Sequence, residues 1–318
     1  MSTSIQQVVT RFRAYQLGLH GSSFSYFAGN TFTLLEARVT DQSRPRLLAE
    51  LKACGKRTID TLHITSWDTD HCGEGDLEWL LYHLPPRRIE YPGYLPHTEC
   101  GLACLKQIQA YHRKWVGSHN VVIQRVDPPY IASLGKAEAL GYQDIVYHPK
   151  TITDRANDNS TVKFFRTGAF NMLSLGDVED RGIAALLQRC TTLCREVDVM
   201  ILAHHGADNG FTTRRFLKEL APQVAISGSN YGNHFDHPRQ EIRDLLHEQH
   251  VDLFTTKTGD VLIHSTGGHT MDFQVTNLKA NSEEISSTYT FRSRKSKLLR
   301  QHADTVRAVL QPGFKGLR

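Results

Sequence analysis

No run in this 318-residue chain stays apolar for the roughly 20 residues that a membrane-spanning helix requires. The opening MSTSIQQVVTRFRAY also lacks the basic-then-apolar order of a secretion signal. A membrane partner is therefore not expected, and the chain reads as cytoplasmic. Cysteine is sparse as well: six, at positions 54, 72, 100, 104, 190 and 194, with no CxxC pair. Two of the pairs are spaced four apart in helix-like segments, where a disulfide has poor geometry, so free thiols in a reducing compartment are expected. His97, Cys100, Cys104 and His112 have the residue types of a structural zinc site. The short knuckle is missing, however, and Cys104, Ile108 and Tyr111 also make a plain helical core stripe. Short-period repeats and low-complexity tracts are lacking too. What remains is an ordinary globular composition, 40% apolar and 22% charged, sufficient for one principal core.

The most informative segment is SWDTDHCGEG, Ser66 to Gly75, which follows the apolar-rich run Ile59 to Ile64 and precedes a helix-like stretch, Asp76 to Leu84. Asp68, Asp70 and His71 are crowded onto one strand-to-helix loop. Carboxylates packed so closely repel one another and resist desolvation unless a cation holds them. The alternative is an acidic turn that caps a helix, with Asp76 as N-cap. Three later segments weigh toward metal: LSLGD ending at Asp177, VMILAHHG with His204 and His205, and NYGNHFDHP with Asn230 and His237. Each throws its polar residues off the C-terminal end of an apolar strand, where open α/β sheets place their sites.

The wider pattern is αβ in two similar halves. Strands are expected at Phe12–Leu17, Phe24–Phe27, Phe32–Glu36, Thr58–Ile64 and Asn120–Val126, with helices at Pro45–Ala53 and Leu102–Trp115. Asp127 to Asn159 reads as loops beside the site. Farther on, strands at 161–166, 170–175, 197–202 and 222–227 alternate with helices near 180–193, 212–220 and 238–249.

With NDNS at Asn157 to Ser160 and TKTGD at Thr256 to Asp260, these motifs resemble the metallo-β-lactamase fold hydrolases, specifically the ComEC-type domain of DNA-uptake competence proteins and its free-standing relatives. The likeness runs from about Tyr15 to about Ser265. It implies an α/β fold, the four-layer αββα sandwich, with residues 1–280 as the hydrolase domain and 281–318 as a basic C-terminal tail or helix. It also implies two divalent ions held by Asp68, Asp70, His71, Asp177 and His204, with Asp70, His205 and His237 in catalytic roles. Asn157, Asn230 and Lys257 are expected to contact substrate. One place departs from the family: Ser66 stands where a histidine is usual, with His63 on the preceding strand as a possible substitute. An oxygen-rich first site suits Mn²⁺ or Mg²⁺, whereas Zn²⁺ favours imidazole.

Charge bears on the substrate. From Thr290 to Arg318 there are eight basic residues against Asp304, a net +7 in a chain of net +4. Such a segment can neutralise phosphates, or it can be a helix whose leucines and valines between Lys297 and Leu310 dock on a protein partner. The leading expectation is a metal-dependent phosphodiesterase acting on nucleic acid, most plausibly DNA. The alternatives are a hydrolase of small esters, lactones or thioesters, and a decayed site that serves only as a partner-binding module.

Overall fold

The computed structural model describes residues 8–115, 121–134, 143–267 and 272–296. In chain order the first strands are β1 (Thr10–Ala14), β2 (Phe24–Ala28), β3 (Thr31–Leu35), β4 (Thr61–His63), β5 (Arg88–Pro92) and β6 (Val122–Val126). Then come β7 (Ile145–His148), β8 (Val162–Phe165), β9 (Met172–Ser174), β10 (Val199–Ile201), β11 (Val224–Ser227) and β12 (Asp252–Thr255), and finally β13 (Val261–Ser265), β14 (Asp272–Leu278) and β15 (Ile285–Arg292). One sheet has the order β15-β14-β13-β1-β2-β3-β4-β5-β6 and the other β12-β11-β10-β9-β8-β7.

Helices α1 (Arg44–Ala53), α2 (Glu74–His83) and α3 (Glu99–Trp115) link the parallel strands β3 to β6, while α4 (Pro128–Ser133) precedes β7. Helices α5 (Arg181–Leu187), α6 (Thr191–Glu196), α7 (Arg214–Leu220) and α8 (Gln240–Glu248) link the parallel strands β9 to β12.

Three apolar cores turn this connectivity into four layers. Alternation along a strand sends successive side chains to opposite faces. In β10, Val199 and Ile201 enter the core between the sheets, whereas Met200 enters the core under α5 to α8. Strand β11 repeats this with Val224 and Ile226 facing inward and Ala225 outward. On the first sheet, Phe12 and Ala14 meet Phe170, Met172 and Phe273 between the layers, while Leu34 and Leu62 pack under Leu47, Leu77 and Ile108 of the outer helices. Each fully buried aromatic or branched side chain stabilises by about 1.5–3 kcal/mol through burial alone. The αββα sandwich expected from the motif order is the observed architecture.

The structure departs from the sequence reading in several places, beginning with β5, β12, β13 and β14, for which no strand was expected. The stretch 127–159 is not only loop, because α4 is capped by Asp127 and β7 completes the second sheet beside β8. Four residues of buried strand are too few to show a period. The single helix expected at 180–193 is two, α5 and α6, broken at 188–190. Residues 281–296 are not a tail: β15 pairs along its length with β14, which itself extends the sheet beyond β13. Strand β15 is mostly exposed and its alternation, Tyr289 and Phe291, is short; Phe291 stacks 5.5 Å from Phe273, and Tyr289 meets Phe254 edge-on at 5.5 Å.

Beyond β15, the Ser293 hydroxyl and the Arg294 amide donate to buried Asp198 at 3.1 and 2.7 Å, and Lys295 Nζ donates to the carbonyls of Arg166 and Gly168. Arg292 pairs with Asp272 at 3.0 Å. Three of the eight basic residues are therefore engaged within the fold. The helix expected over Lys297 to Leu310 lies outside the described residues, as does the rest of 297–318. No helix among the described residues is long and apolar enough to cross a membrane.

Candidate metal centre

The loops that leave the C-terminal ends of β4, β9, β10 and β11 meet at one edge of the sandwich and are tied together by main-chain bonds. The Thr161 amide donates to the Thr65 carbonyl at 3.0 Å, the His204 amide to Gly176 at 2.9 Å and the Arg239 amide to Gly206 at 3.0 Å. Gly176 is required here on two counts. Its φ of +56° is left-handed, and a Cβ would lie 3.0 Å from Ser160 Cβ and 3.2 Å from both Thr65 Cβ and the Thr161 carbonyl.

This convergence brings Asp70, His71, Asp177 and His205 together, one donor atom from each, all within 4.8 Å of one another. A cavity of about 10 Å³, roughly the room for a single water or ion, is lined by His71, Asp177 and His205 together with Glu36. The imidazoles are held so that their Nε2 atoms face the group. His205 Nδ1 donates to the Gly228 carbonyl at 2.8 Å, which leaves Nε2 3.1 Å from Asp70 Oδ2. His71 Nδ1 lies 3.2 Å from Glu36 Oε1 and 3.3 Å from Thr65 Oγ1, which leaves Nε2 2.8 Å from Asp177 Oδ2. A neutral imidazole with Nδ1 protonated presents a lone pair at Nε2, and a lone pair facing a carboxylate at such a distance requires a proton or a cation between them.

The electrostatics carry the same demand. Burial opposes charging His71, yet Asp177, Glu36 and Asp70 outweigh it and raise its pKa well above the usual imidazole range. Burial likewise opposes charging His205, and the hydrogen bond to Asp70 and the charge of Asp177 raise it. Desolvation would push both carboxylates up, but His71 and His205 hold Asp70 and Asp177 below the ordinary aspartate value. His71 Nε2 and Asp177 Oδ1, both buried, also lack a well-directed hydrogen bond. Two carboxylates and two imidazoles, all buried except the partly exposed Asp70 and with His71 Nε2 and Asp177 Oδ1 short of partners, fit a divalent ion, whose binding would displace the protons that otherwise balance the charge.

Some expected site residues stand elsewhere. His204 lies outside the group: its Nδ1 meets Glu179 Oε1 at 2.5 Å and its side chain is half-buried. Both histidines of AHHG have left-handed φ, 44° and 54°, so consecutive side chains diverge and His205 takes the place expected for His204. Asp68 is also outside. Its Oδ2 accepts from Ser66 Oγ at 3.1 Å, and that hydroxyl contacts Tyr94 OH at 3.2 Å, so the departure at Ser66 leaves a small hydroxyl network in place of an imidazole. Desolvation raises the Asp68 pKa, with the Ser66 bond opposing it. His63 does not substitute, because it is buried with Nδ1 2.9 Å from Glu90, whose carboxylate also accepts from Lys163. Nor does Asp76 cap α2: Gly73 stands at the N-cap, and the Asp76 carboxylate pairs with Arg38.

His237 belongs to the rim, with ring centres 5.6 Å from His204 and 6.2 Å from His205. Burial and the two neighbouring imidazoles push its pKa down to about 4. Asn157 Nδ2 donates to Glu179 Oε1 at 3.2 Å, so it braces the partner of His204. Asn230 donates to the Tyr231 carbonyl in the β11–α8 loop, and Lys257 is half-buried near that loop, its pKa lowered by burial and by Arg243. Asp260 of TKTGD acts structurally, accepting from buried Arg13 at 2.7 Å and so tying β13 to β1.

Sequence reasoning missed Glu36, Glu179 and His20. His20 Nδ1 is 3.5 Å from Asp70 Oδ2. Glu36 carried a readable signal, a carboxylate ending the apolar run TFTLLE, but its partner at 71 is set by folding.

No family model matches the chain. It is 26% identical over 217 residues to ComE operon protein 3 of Bacillus subtilis (strain 168), covering 66% of this chain and 25% of that protein. It is 22% identical over 247 residues to Competence protein ComA of Neisseria gonorrhoeae, covering 78% of this chain and 31% of that protein. The chain thus spans a quarter to a third of the length of the curated relatives it matches. Among solved structures, Tm1679, titled a metal-dependent hydrolase of the beta-lactamase superfamily, aligns with a TM-score of 0.46 and 12% identity, covering 79% of this chain and 98% of that one. The chain is thus similar to ComEC-type competence proteins over 66–78% of its length, and its two sheets with helices outside form an αββα sandwich.

Proposed function

We propose that this chain is a metal-dependent hydrolase, and more specifically a phosphodiesterase that cuts nucleic acid. The observation that carries the reading is the convergence of donor atoms from Asp70, His71, Asp177 and His205 within 4.8 Å of one another, beside an ion-sized cavity that His71, Asp177 and His205 line. The likeness to competence proteins supports a nucleic-acid substrate over a small ester.

In this reading Asp70, His71, Asp177 and His205 hold a divalent ion, Mn²⁺ or Zn²⁺, with Mg²⁺ a weaker match to a set half of which is imidazole. When bound, such an ion supplies Lewis acidity and a water acidic enough to ionise near neutral pH. Glu36 and the Gly228 carbonyl fix the two ligand imidazoles. Asp68, beside the group and held by Ser66, is the residue available to a second, weaker ion. His204 and His237 on the rim each offer an imidazole N–H to a phosphate oxygen, and the buried floor excludes bulk water. The basic segment 297–318 adds charge that draws a polyanion or meets a protein partner.

The test is a panel of single-stranded DNA, duplex DNA, RNA, bis-p-nitrophenyl phosphate and a lactone, incubated with chelator-treated protein and added Mn²⁺, Zn²⁺ or Mg²⁺. Metal-dependent cleavage of the phosphodiesters, absent in Asp70→Ala, is the expected result. Cleavage of the lactone alone transfers the site to small-molecule hydrolysis. Activity that persists in EDTA ends the metal reading.

A further inference from the structure

A second concavity, about 760 Å³ in volume, lies beside the metal centre and takes no part in it. One wall is the segment between β7 and the turn at 157–159, which carries Lys150 and Arg155; the other is α5 and the turn after it, which carry Ile183, Leu186 and Arg189. The two sites share a hydrogen-bonded partition. Asp158 lines the concavity and accepts from the amides of Glu179 and Asp180 at 2.9 and 2.8 Å, and Glu179 in turn holds His204 on the rim of the metal centre.

Its chemistry is lopsided. Asp158 is occupied by those two amides, and Asp180 caps α5 through the amides of Gly182 and Ile183. Only Asp154 is left to oppose three cations. Arg155 is mostly exposed and 3.9 Å from Asp158, and Lys150 and Arg189 are exposed with no charged partner among the described residues. Between the cations the floor is apolar: Ile183 is buried, and Leu186, one helical turn along, is 48% exposed and lines the hollow. A hollow with an apolar floor, a positive rim and a volume in the usual range of roughly 300–1,000 Å³ for ligand sites suits a ligand with a flat apolar face and a negative charge. A nucleotide has both.

We propose that this concavity is a nucleotide subsite, which holds a stretch of single-stranded nucleic acid flanking the bond to be cut, with a base against Leu186 and Ile183 and the phosphates against Lys150, Arg155 and Arg189. The proposal rests on the phosphodiesterase reading for its use, but not for its detection. A strand seated there runs past Glu179 and His204 into the metal centre, so the subsite sets which side of the scissile bond is gripped.

The experiment pairs two assays on the full chain, using the surface variant Lys150→Ala/Arg189→Ala and the floor variant Leu186→Glu. Binding of a fluorescein-labelled 15-nucleotide oligothymidylate is followed by anisotropy in EDTA, so that no cleavage intervenes, between 50 and 200 mM NaCl. Hydrolysis of bis-p-nitrophenyl phosphate, too small to reach the concavity, is followed with Mn²⁺. The double variant should bind the oligonucleotide about 10-fold more weakly at 50 mM salt, with a log–log salt slope shallower by about 1.4, two single-strand phosphate contacts at roughly 0.7 each. Leu186→Glu should weaken binding similarly, and bis-p-nitrophenyl phosphate turnover should stay within twofold. Unchanged affinity and slope in both variants overturn the subsite, whatever the small substrate does. If the small substrate is never hydrolysed while the variants still lose oligonucleotide, the phosphodiesterase reading fails and the subsite stands.

Discussion

Replacing His205 by alanine should remove most of the metal-induced stabilisation, while replacing His204 should largely preserve it. The contrast follows from the geometry, since His205 Nε2 faces Asp70 within the donor group and His204 is turned to Glu179. A ligand that binds only the folded state at 100 times its dissociation constant stabilises by about 2.7 kcal/mol. At about 2 °C per kcal/mol in a chain of this size, that is a shift of about 5 °C in midpoint. Loss of one of four donors should weaken binding at least 100-fold, since even an outer partner of a ligand is worth about 10–100-fold. At the same Mn²⁺ concentration about 0.4 kcal/mol then remains, a shift of about 1 °C. Glu36→Gln, which loosens His71 without removing a donor, should fall between; a 10-fold loss leaves about 1.4 kcal/mol and about 3 °C. The assay is thermal denaturation of chelator-treated protein, with and without Mn²⁺ at a concentration set from the wild-type titration. A full shift in His205→Ala combined with its loss in His204→Ala would refute the assignment and return the ligand role to the first histidine of the pair.

Other outcomes follow from the same structure. Phe170→Ala removes a fully buried ring that contacts Tyr26 and Phe273 between the sheets, and should cost about 3–5 kcal/mol in urea denaturation. Gly176→Ala should lower stability by more than about 1 kcal/mol and reduce metal affinity in the same preparation, because a left-handed, crowded residue precedes Asp177. Burial raises the Asp198 carboxyl to about 6 against the Arg294 and Asn171 amides that donate to it. The folded state therefore holds that proton more tightly than the unfolded chain, and stability falls as pH rises from about 4 to about 6, by up to about 3 kcal/mol, then levels off. Urea midpoints should show this slope for wild type and lose it in Asp198→Asn; equal slopes contradict it. Truncation after Ser296 removes five basic residues and one acidic residue, Asp304, while keeping β15 and its anchors on Asp198. It should leave stability unchanged and weaken DNA binding at low salt, as measured by anisotropy; unchanged binding removes 297–318 from the nucleic-acid reading.

Much of the site was legible because its residues are clustered along the chain. Asp70, His71, Asp177 and His205 all sit in short polar bursts after apolar strands, and a local burst of that kind survives without any knowledge of pairing. The choice between His204 and His205 was not legible. It turns on two left-handed residues and on which neighbour, Glu179 or Gly228, captures each ring, and both neighbours are distant in sequence. The second sheet's β7 and the edge strand β15 were likewise hidden, one by its brevity and the other because a mostly exposed, serine- and threonine-rich edge carries only a short apolar alternation.

Strand periodicity gave an αβ pattern in two halves, because burial patterns repeat with the geometry of the backbone itself, and the resemblance carried by the motif order implied the αββα sandwich and its acidic-imidazole edge. Which imidazoles face that edge, which carboxylate braces them, and which of the C-terminal cations are neutralised inside the body depended on folding. Those are contacts between residues as far apart as Asp198 and Arg294 or Asp70 and His205, and long-range pairing in three dimensions leaves no mark on local sequence.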